Sequence, residues 1–170
     1  MPFSQTLLPE FEEEMKNTRK LLERIPDGKL DYQPHKKSMS LGRLATHVAE
    51  LPSWTKFTLD LEVLEMEPGA QPHFAGSRAE LLETFDRGVA EARQKISAAS
   101  DEDWQKTWTF KYAGKTVMSM PRSAVMRSVI MNHLIHHRAQ LGVFLRLNDV
   151  ELPGMYGPSA DEPQFMETAA

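Results

Sequence analysis

Four stretches of this chain repeat their apolar residues at alternating steps of three and four. That period constrains the fold more than any other feature, because a helix carrying one apolar stripe must bury it against another element. The stripes run Leu8, Phe11, Met15, Thr18, Leu22, Ile25; then Leu44, Val48, Leu51, Thr55, Thr58; then Leu82, Phe85, Val89, Ala92, Ile96, Ala99; and last Met126, Ile130, His133, His137, Leu141, Phe144. The spacing predicts helix 1 over residues 4–24, helix 2 after the N-cap candidate Ser40, helix 3 after Ser77, and helix 4 from Pro121 to about residue 147. Pro26, Asp27 and Gly28 stop helix 1, and residues 26–38 read as a loop. Pro52 removes one backbone hydrogen bond and presses on the carbonyl of Val48, which predicts a kink one turn after His47. Ser77 and Glu80 match a capping box, and Gly69 to Gly76, with Pro68 and Pro72, forms the break before it. Four such helices make an all-α fold, a four-helix bundle.

Between helices 3 and 4 the period is lost. Residues 101–106 read as one extra turn with an acidic start at Asp101, Glu102 and Asp103, where carboxylates meet the positive end of the helix dipole. Residues 108–112 and 116–118 then flank Ala113, Gly114 and Lys115 as a small inserted hairpin. The tail, 149–170, carries Pro153, Gly154, Gly157 and Pro158 and reads as irregular. At 170 residues and 19.3 kDa the chain suits a single domain spanning 1–170.

Composition removes several function classes. Twenty basic against 24 acidic residues leave a net charge of −4, which argues against a nucleic-acid partner. The absence of cysteine excludes a thiolate nucleophile and cysteine-ligated metal, so any ion here must use His, Asp or Glu. No apolar run approaches the roughly 20 residues that span a bilayer, so no membrane partner is expected. The acidic N-terminus lacks a signal-peptide pattern, which points to a cytoplasmic protein.

The informative cluster is Asn132-His133-Leu134-Ile135-His136-His137-Arg138. His133 and His137 are four residues apart, so their imidazoles leave one helix face with Cβ atoms about 5–6 Å apart, a separation that lets both reach one ion. They also fall on the apolar stripe, where bare imidazoles need a partner: a metal, a carboxylate or a backbone carbonyl. If the partner is a metal, His47 on the inner edge of helix 2 is the natural third ligand. Three histidines with an open fourth position is the pattern of a catalytic zinc-type site. His136 lies about 100° around the helix and reads as a surface or interface residue; His35 and His73 fall in loops. Trp54, on the stripe of helix 2, reads as core or pocket lining.

Lys37-Ser38-Met39-Ser40-Leu41-Gly42 running to His47, the block from His133 to Gln140, and Tyr156-Gly157-Pro158-Ser159-Ala160-Asp161-Glu162 together resemble the DinB family of the DinB/YfiT-like superfamily. The resemblance spans nearly the whole chain. It implies a four-helix bundle, a homodimer, and a divalent ion held by His47, His133 and His137. The family more often has tryptophan near Met39 and glycine at Ala139, so the surroundings of the site differ here. Among relatives in the superfamily are thiol S-transferases using bacillithiol or mycothiol, a mycothiol-dependent isomerase and metal-dependent hydrolases.

Two function classes follow. In the first, the protein is a metal-dependent enzyme, a thiol S-transferase or a hydrolase, with a small-molecule substrate that includes a low-molecular-weight thiol. Neutral imidazoles suit zinc, nickel, copper and iron alike, and zinc or nickel is the expected ion. Glu50, one turn from His47, and Asp161 or Glu162, if the tail folds over the site, are general-base candidates. Gln140, three residues after His137, is a candidate for orienting a ligand or substrate, and Arg138 is expected to pair with the tail acids. In the second class the protein is a non-catalytic metal- or ligand-binding stress-response protein or dimeric scaffold, with the ion a clamp between helices 2 and 4.

Overall fold

A computed structural model describes residues 2–69 and 73–162. The helix stripes of the sequence are present as α1 (Phe3–Leu22), α2 (Leu41–Glu50) with α3 (Trp54–Asp60), α4 (Arg78–Ala98), and a terminal helix made of α6 (Arg122–Ala124), a wide-turn segment (Val125–Met131) and α7 (Asn132–Arg146). Helix α1 packs against α4 and α7, and α2 packs against the same two. Leu7, Phe11 and Leu22, Leu44 and Val48, Phe85 and Ile96, and Ile130 and Leu141 are buried between them. The fold is therefore mostly helical.

It is not all-α, however. Short helix α5 (Asp101–Gln105) leads into β2 (Thr107–Tyr112) and β3 (Lys115–Pro121), the expected hairpin, and a third strand, β1 (Val63–Met66), adds to it in parallel with β2. The three form a sheet in the order β1-β2-β3, with Val63 opposite Thr109 and Trp108 opposite Met120. Strand β1 has no apolar alternation to announce it and is largely exposed. Backbone hydrogen bonds hold it, from Thr109 N–H to the Glu62 carbonyl (2.9 Å) and from Ala113 N–H to the Met66 carbonyl (3.1 Å). The hairpin turns on Ala113 and Gly114, both at positive φ (50° and 74°), the backbone of a type I′ connection.

The helix ends follow local chemistry. Ser40 Oγ accepts from Arg43 N–H (3.2 Å), as expected of an N-cap. Pro52 does more than kink helix 2: it sits in a tight turn, Leu51–Ser53, that separates α2 from α3. Ser77 caps Glu80 N–H, but the Glu80 carboxylate accepts from Gly76 N–H (2.8 Å) instead of closing the box. The reciprocal capping box is at Ser100 and Asp103. Of the break before α4, residues 70–72 lie outside the described residues, as do residues 163–170 of the tail; the tail to residue 162 is irregular.

Candidate metal centre

The wide-turn segment sets where the histidines of the last helix point. Within it Asn132 N–H bonds to the Arg127 carbonyl, five residues back, so each turn holds more residues than in an α-helix. Apolar residues then fall into one line at Met126, Ile130 and Leu134, and the buried face continues through Arg138, Leu141 and Leu145. The predicted stripe ran through His133, His137 and Phe144, one residue earlier. That phase change leaves His133 and His137 half-buried at the edge of the core, with Leu134 filling the interior.

His47 meets them from α2. Leu44 and Val48 bury that helix, and His47, half-buried, faces α7. Its Nε2 lies 3.3 Å from His133 Nε2, and His137 Nε2 lies 2.9 Å from His133 Nε2. One nitrogen from each ring falls within 4.8 Å of the other two. Trp54 closes one side, its ring centroid 5.8 Å from those of both His47 and His133.

The outer nitrogens decide the protonation of the inner ones. His133 Nδ1 is 3.2 Å from the Val129 carbonyl, and His137 Nδ1 is 2.8 Å from Gln140 Oε1. Both partners are acceptors, so each Nδ1 donates, which in the neutral ring leaves the Nε2 lone pair turned towards the other two histidines. Two such lone pairs are brought together favourably by a cation between them, a metal ion or a shared proton. Two nitrogens bound at about 2.0–2.1 Å to one tetrahedral ion are about 3.3 Å apart, which the His47–His133 separation matches, while the 2.9 Å between His133 and His137 corresponds to an angle of about 90° at a shared ion. The hydrogen-bonded Nδ1 atoms supply the outer shell that metal-bound histidines need.

Burial, reinforced by the neighbouring His137 and His133 and by Arg43, lowers the His47 pKa from 6.5 to about 4. Burial also lowers His137, against an opposing effect of the Gln140 hydrogen bond. Both lone pairs are therefore free at neutral pH.

The structure brings together the three predicted ligands. Gln140 holds the His137 ring and is itself exposed. Glu50 lines a neighbouring cleft of about 380 Å³ with Ser53, His73, Glu80 and Arg87, whose walls do not include the three histidines. Burial raises its carboxyl pKa, against the opposing charge of Arg43 and His73. His136 is exposed, as expected, and His35 and His73 are exposed in loops.

Two expectations about the tail are corrected. Asp161 pairs with Arg146 and accepts from Leu152 N–H (2.8 Å), while Glu162 pairs with Arg24 (2.7 Å) and accepts from Gly154 N–H (3.0 Å), so both acids pin the tail and neither reaches the histidines. Arg138 does not pair with them. It is 2% exposed and bonds to the Glu14 carboxylate (2.7 Å), the Glu14 carbonyl (3.0 Å), Thr18 Oγ1 (3.1 Å) and the Tyr156 hydroxyl. Its helix face is interior because of the phase change, and α1 supplies the nearer acid. The Val129 carbonyl and the wide turn behind it were not read from sequence; a missing i−4 bond leaves no mark in residue type.

The chain matches the family described as DinB family over residues 1–169. It is 24% identical over 159 residues to the uncharacterized protein YrdA of Bacillus subtilis strain 168, covering 91% of this chain and 89% of that one. Its fold resembles the crystal structure of a DinB-like protein from Bacillus cereus ATCC 10987, with a TM-score of 0.72, 22% identity, and coverage of 91% and 98% of the two chains. A DinB-like protein, YjoA, from Bacillus subtilis has a TM-score of 0.66, 17% identity, and coverage of 88% and 97%.

Proposed function

The chain belongs to the DinB family, and on that premise we propose that His47, His133 and His137 bind a divalent first-row transition metal, zinc or nickel, and that the protein is a metal-dependent enzyme of the thiol S-transferase or hydrolase type. One observation carries this reading: Nε2 atoms 2.9 Å and 3.3 Å apart whose outer nitrogens, at His133 and His137, are committed to acceptors. A bound ion of this kind lowers the pKa of a water or thiol placed on it.

The chain's own groups are suited to the rest. Gln140 and the Val129 carbonyl keep two rings in the tautomer that offers Nε2. Trp54 shields one side of the rings from water. Glu50, made less acidic by burial, is the proposed proton acceptor. A low-molecular-weight thiol is proposed as co-substrate from the family resemblance, and a chain without cysteine suits that reading and a hydrolase equally. Val143, Leu147 and Tyr156, exposed around an apolar groove of about 560 Å³, support the homodimer. No helix of the described residues is long and apolar enough to cross a membrane.

The clamp reading has one observation in its favour: the ligands come from both α2 and α7, so an ion would tie the two together. Metal removal separates the readings. An enzyme loses transferase or hydrolase turnover while its melting temperature stays within a few degrees of the loaded form. A clamp loses much of its melting temperature, and the loaded protein turns over nothing in either assay.

A further inference from the structure

The three-stranded sheet has two unlike faces. Cross-strand partners share a face, so the pairings of Thr109 with Ser119 and of Glu65 with Lys111 make one face mainly polar, and the two hydroxyls there bond to each other (3.0 Å). The pairings of Trp108 with Met120, Phe110 with Met118 and Leu64 with Phe110 place aromatic rings and thioethers on the other. Trp108 and Phe110 stack there, 6.4 Å apart with their planes at 11°. A face of this kind ordinarily closes on a core. Here Trp108 is buried, but Leu64, Phe110, Met118 and Met120 are half-buried, and among the described residues none of the four packs on the helical core.

That apolar face is turned towards the helices that frame the histidines. Trp108 Nε1–H donates to the Phe57 carbonyl on α3 (3.2 Å), and Ser128 Oγ–H donates to Met120 Sδ (3.8 Å) from the wide-turn segment. Both anchor points adjoin the three-histidine site. Phe57 follows Trp54 by three residues, about 4.5 Å along α3, so the two share a helix edge. The Trp54 ring lies 5.8 Å from the rings of His47 and His133. Ser128 adjoins Val129, whose carbonyl holds the His133 ring. Phe57 is 42% exposed, a large apolar side chain left uncovered on the stretch of α3 that runs from Trp54 to the sheet.

An apolar strip is thus continuous with the histidine site, and this continuity fixes its occupant. A molecule whose head group reaches the histidines lays the rest of its length along Phe57 and onto the sheet, where ring edges and thioethers suit an aromatic ring. We infer that Phe57, Met118 and Met120 bind the non-reacting end of the substrate, so that the substrate class is a small aromatic compound whose reactive group sits at His47, His133 and His137. The inference rests on the metal-site reading for the position of the reactive group; the aromatic contact needs no ion.

The test compares benzohydroxamate with acetohydroxamate, two metal-binding probes that differ in the ring, on cobalt-loaded wild type, Phe57→Ser, Met120→Gln and Ser119→Ala, reading the cobalt absorption bands. Burial of the ring makes benzohydroxamate bind about tenfold tighter in wild type. In Phe57→Ser and Met120→Gln the preference falls to about threefold or less, and Ser119→Ala, on the polar face, keeps it, with melting temperatures within a few degrees throughout. A second arm adds benzyl alcohol to metal-free protein carrying 13C-methyl methionine: the Met118 and Met120 signals move to saturation, and that of Met39, in the loop before α2, stays. Equal preference in wild type, Phe57→Ser and Met120→Gln overturns the inference, as do Met118 and Met120 signals that do not move. Signals that move with protein concentration alone also overturn it, since a second copy then covers the face. If cobalt is not taken up while both methionine signals saturate, the metal reading fails and the aromatic site stands.

Discussion

At the three histidines the chemistry turns on which ring nitrogen carries the proton, and two neighbours settle it. Gln140 is the more exposed of those neighbours and the easier to remove. Losing an outer-shell partner of a metal-bound histidine typically weakens metal binding 10–100-fold. Gln140→Ala is therefore expected to raise the zinc dissociation constant by at least about tenfold with little change in melting temperature, read by competition with a chromophoric chelator. The ring of His47 carries a separate prediction. Its folded pKa of about 4 lies below the ordinary value of 6.5, so the unfolded chain binds the extra proton more readily. The stability this contributes is complete above about pH 6.5 and is lost as pH falls through about 4. NMR titration of metal-free protein should show His47 titrating near 4, and a midpoint near 6.5 would contradict the described burial. That His133 and His137 share a helix edge was legible from their i, i+4 spacing, although the apolar stripe itself lies one residue later, and the resemblance completed the group with His47. The tautomers were not, because a backbone carbonyl has no residue type to read.

The elements repeat this division between pattern and backbone. Stripes of period 3.6 marked α1, α2, α4 and the last helix, since burial imposes them on residue identity. Strand β1 is held by backbone hydrogen bonds, and the wide turn at Val125–Met131 is a change of hydrogen-bond partner, so neither alters composition. Its effect is nonetheless legible afterwards: the core sequence Met126, Ile130, Leu134 keeps a step of four that a regular α-helix would not hold in line. The hairpin turn gives a test at this scale. Ala113 occupies a left-handed position (φ 50°) that alanine adopts at a cost of roughly 1–2 kcal/mol and that type I′ turns prefer to fill with asparagine. Ala113→Asn should raise stability by about 1 kcal/mol in urea unfolding, and a loss would contradict the turn assignment.

Across the whole molecule, one buried network joins the helical body to the tail. Arg138 and Glu14, with side chains 2% and 11% exposed, pair between α7 and α1, and the Tyr156 hydroxyl donates to the Glu14 carboxylate (2.7 Å). Arg138 adjoins His137, so the same contacts hold the rotation of α7 that aims the histidines at α2. Removing one partner of a buried ion pair costs about 3–5 kcal/mol. Arg138→Met should lower stability by that amount in chemical unfolding, and an unchanged midpoint would show the pair to be dispensable. The expectation that Arg138 meets the tail acids failed because charge alone favoured them, while the phase of the helix decided the matter. The central claim is that the three histidines hold a metal. Inductively coupled plasma mass spectrometry of untagged wild type beside His133→Ala tests it most directly. The account predicts a first-row metal at about one ion per chain in the wild type, lost from His133→Ala. A wild type that carries no metal even after supplementation with zinc or nickel would contradict it.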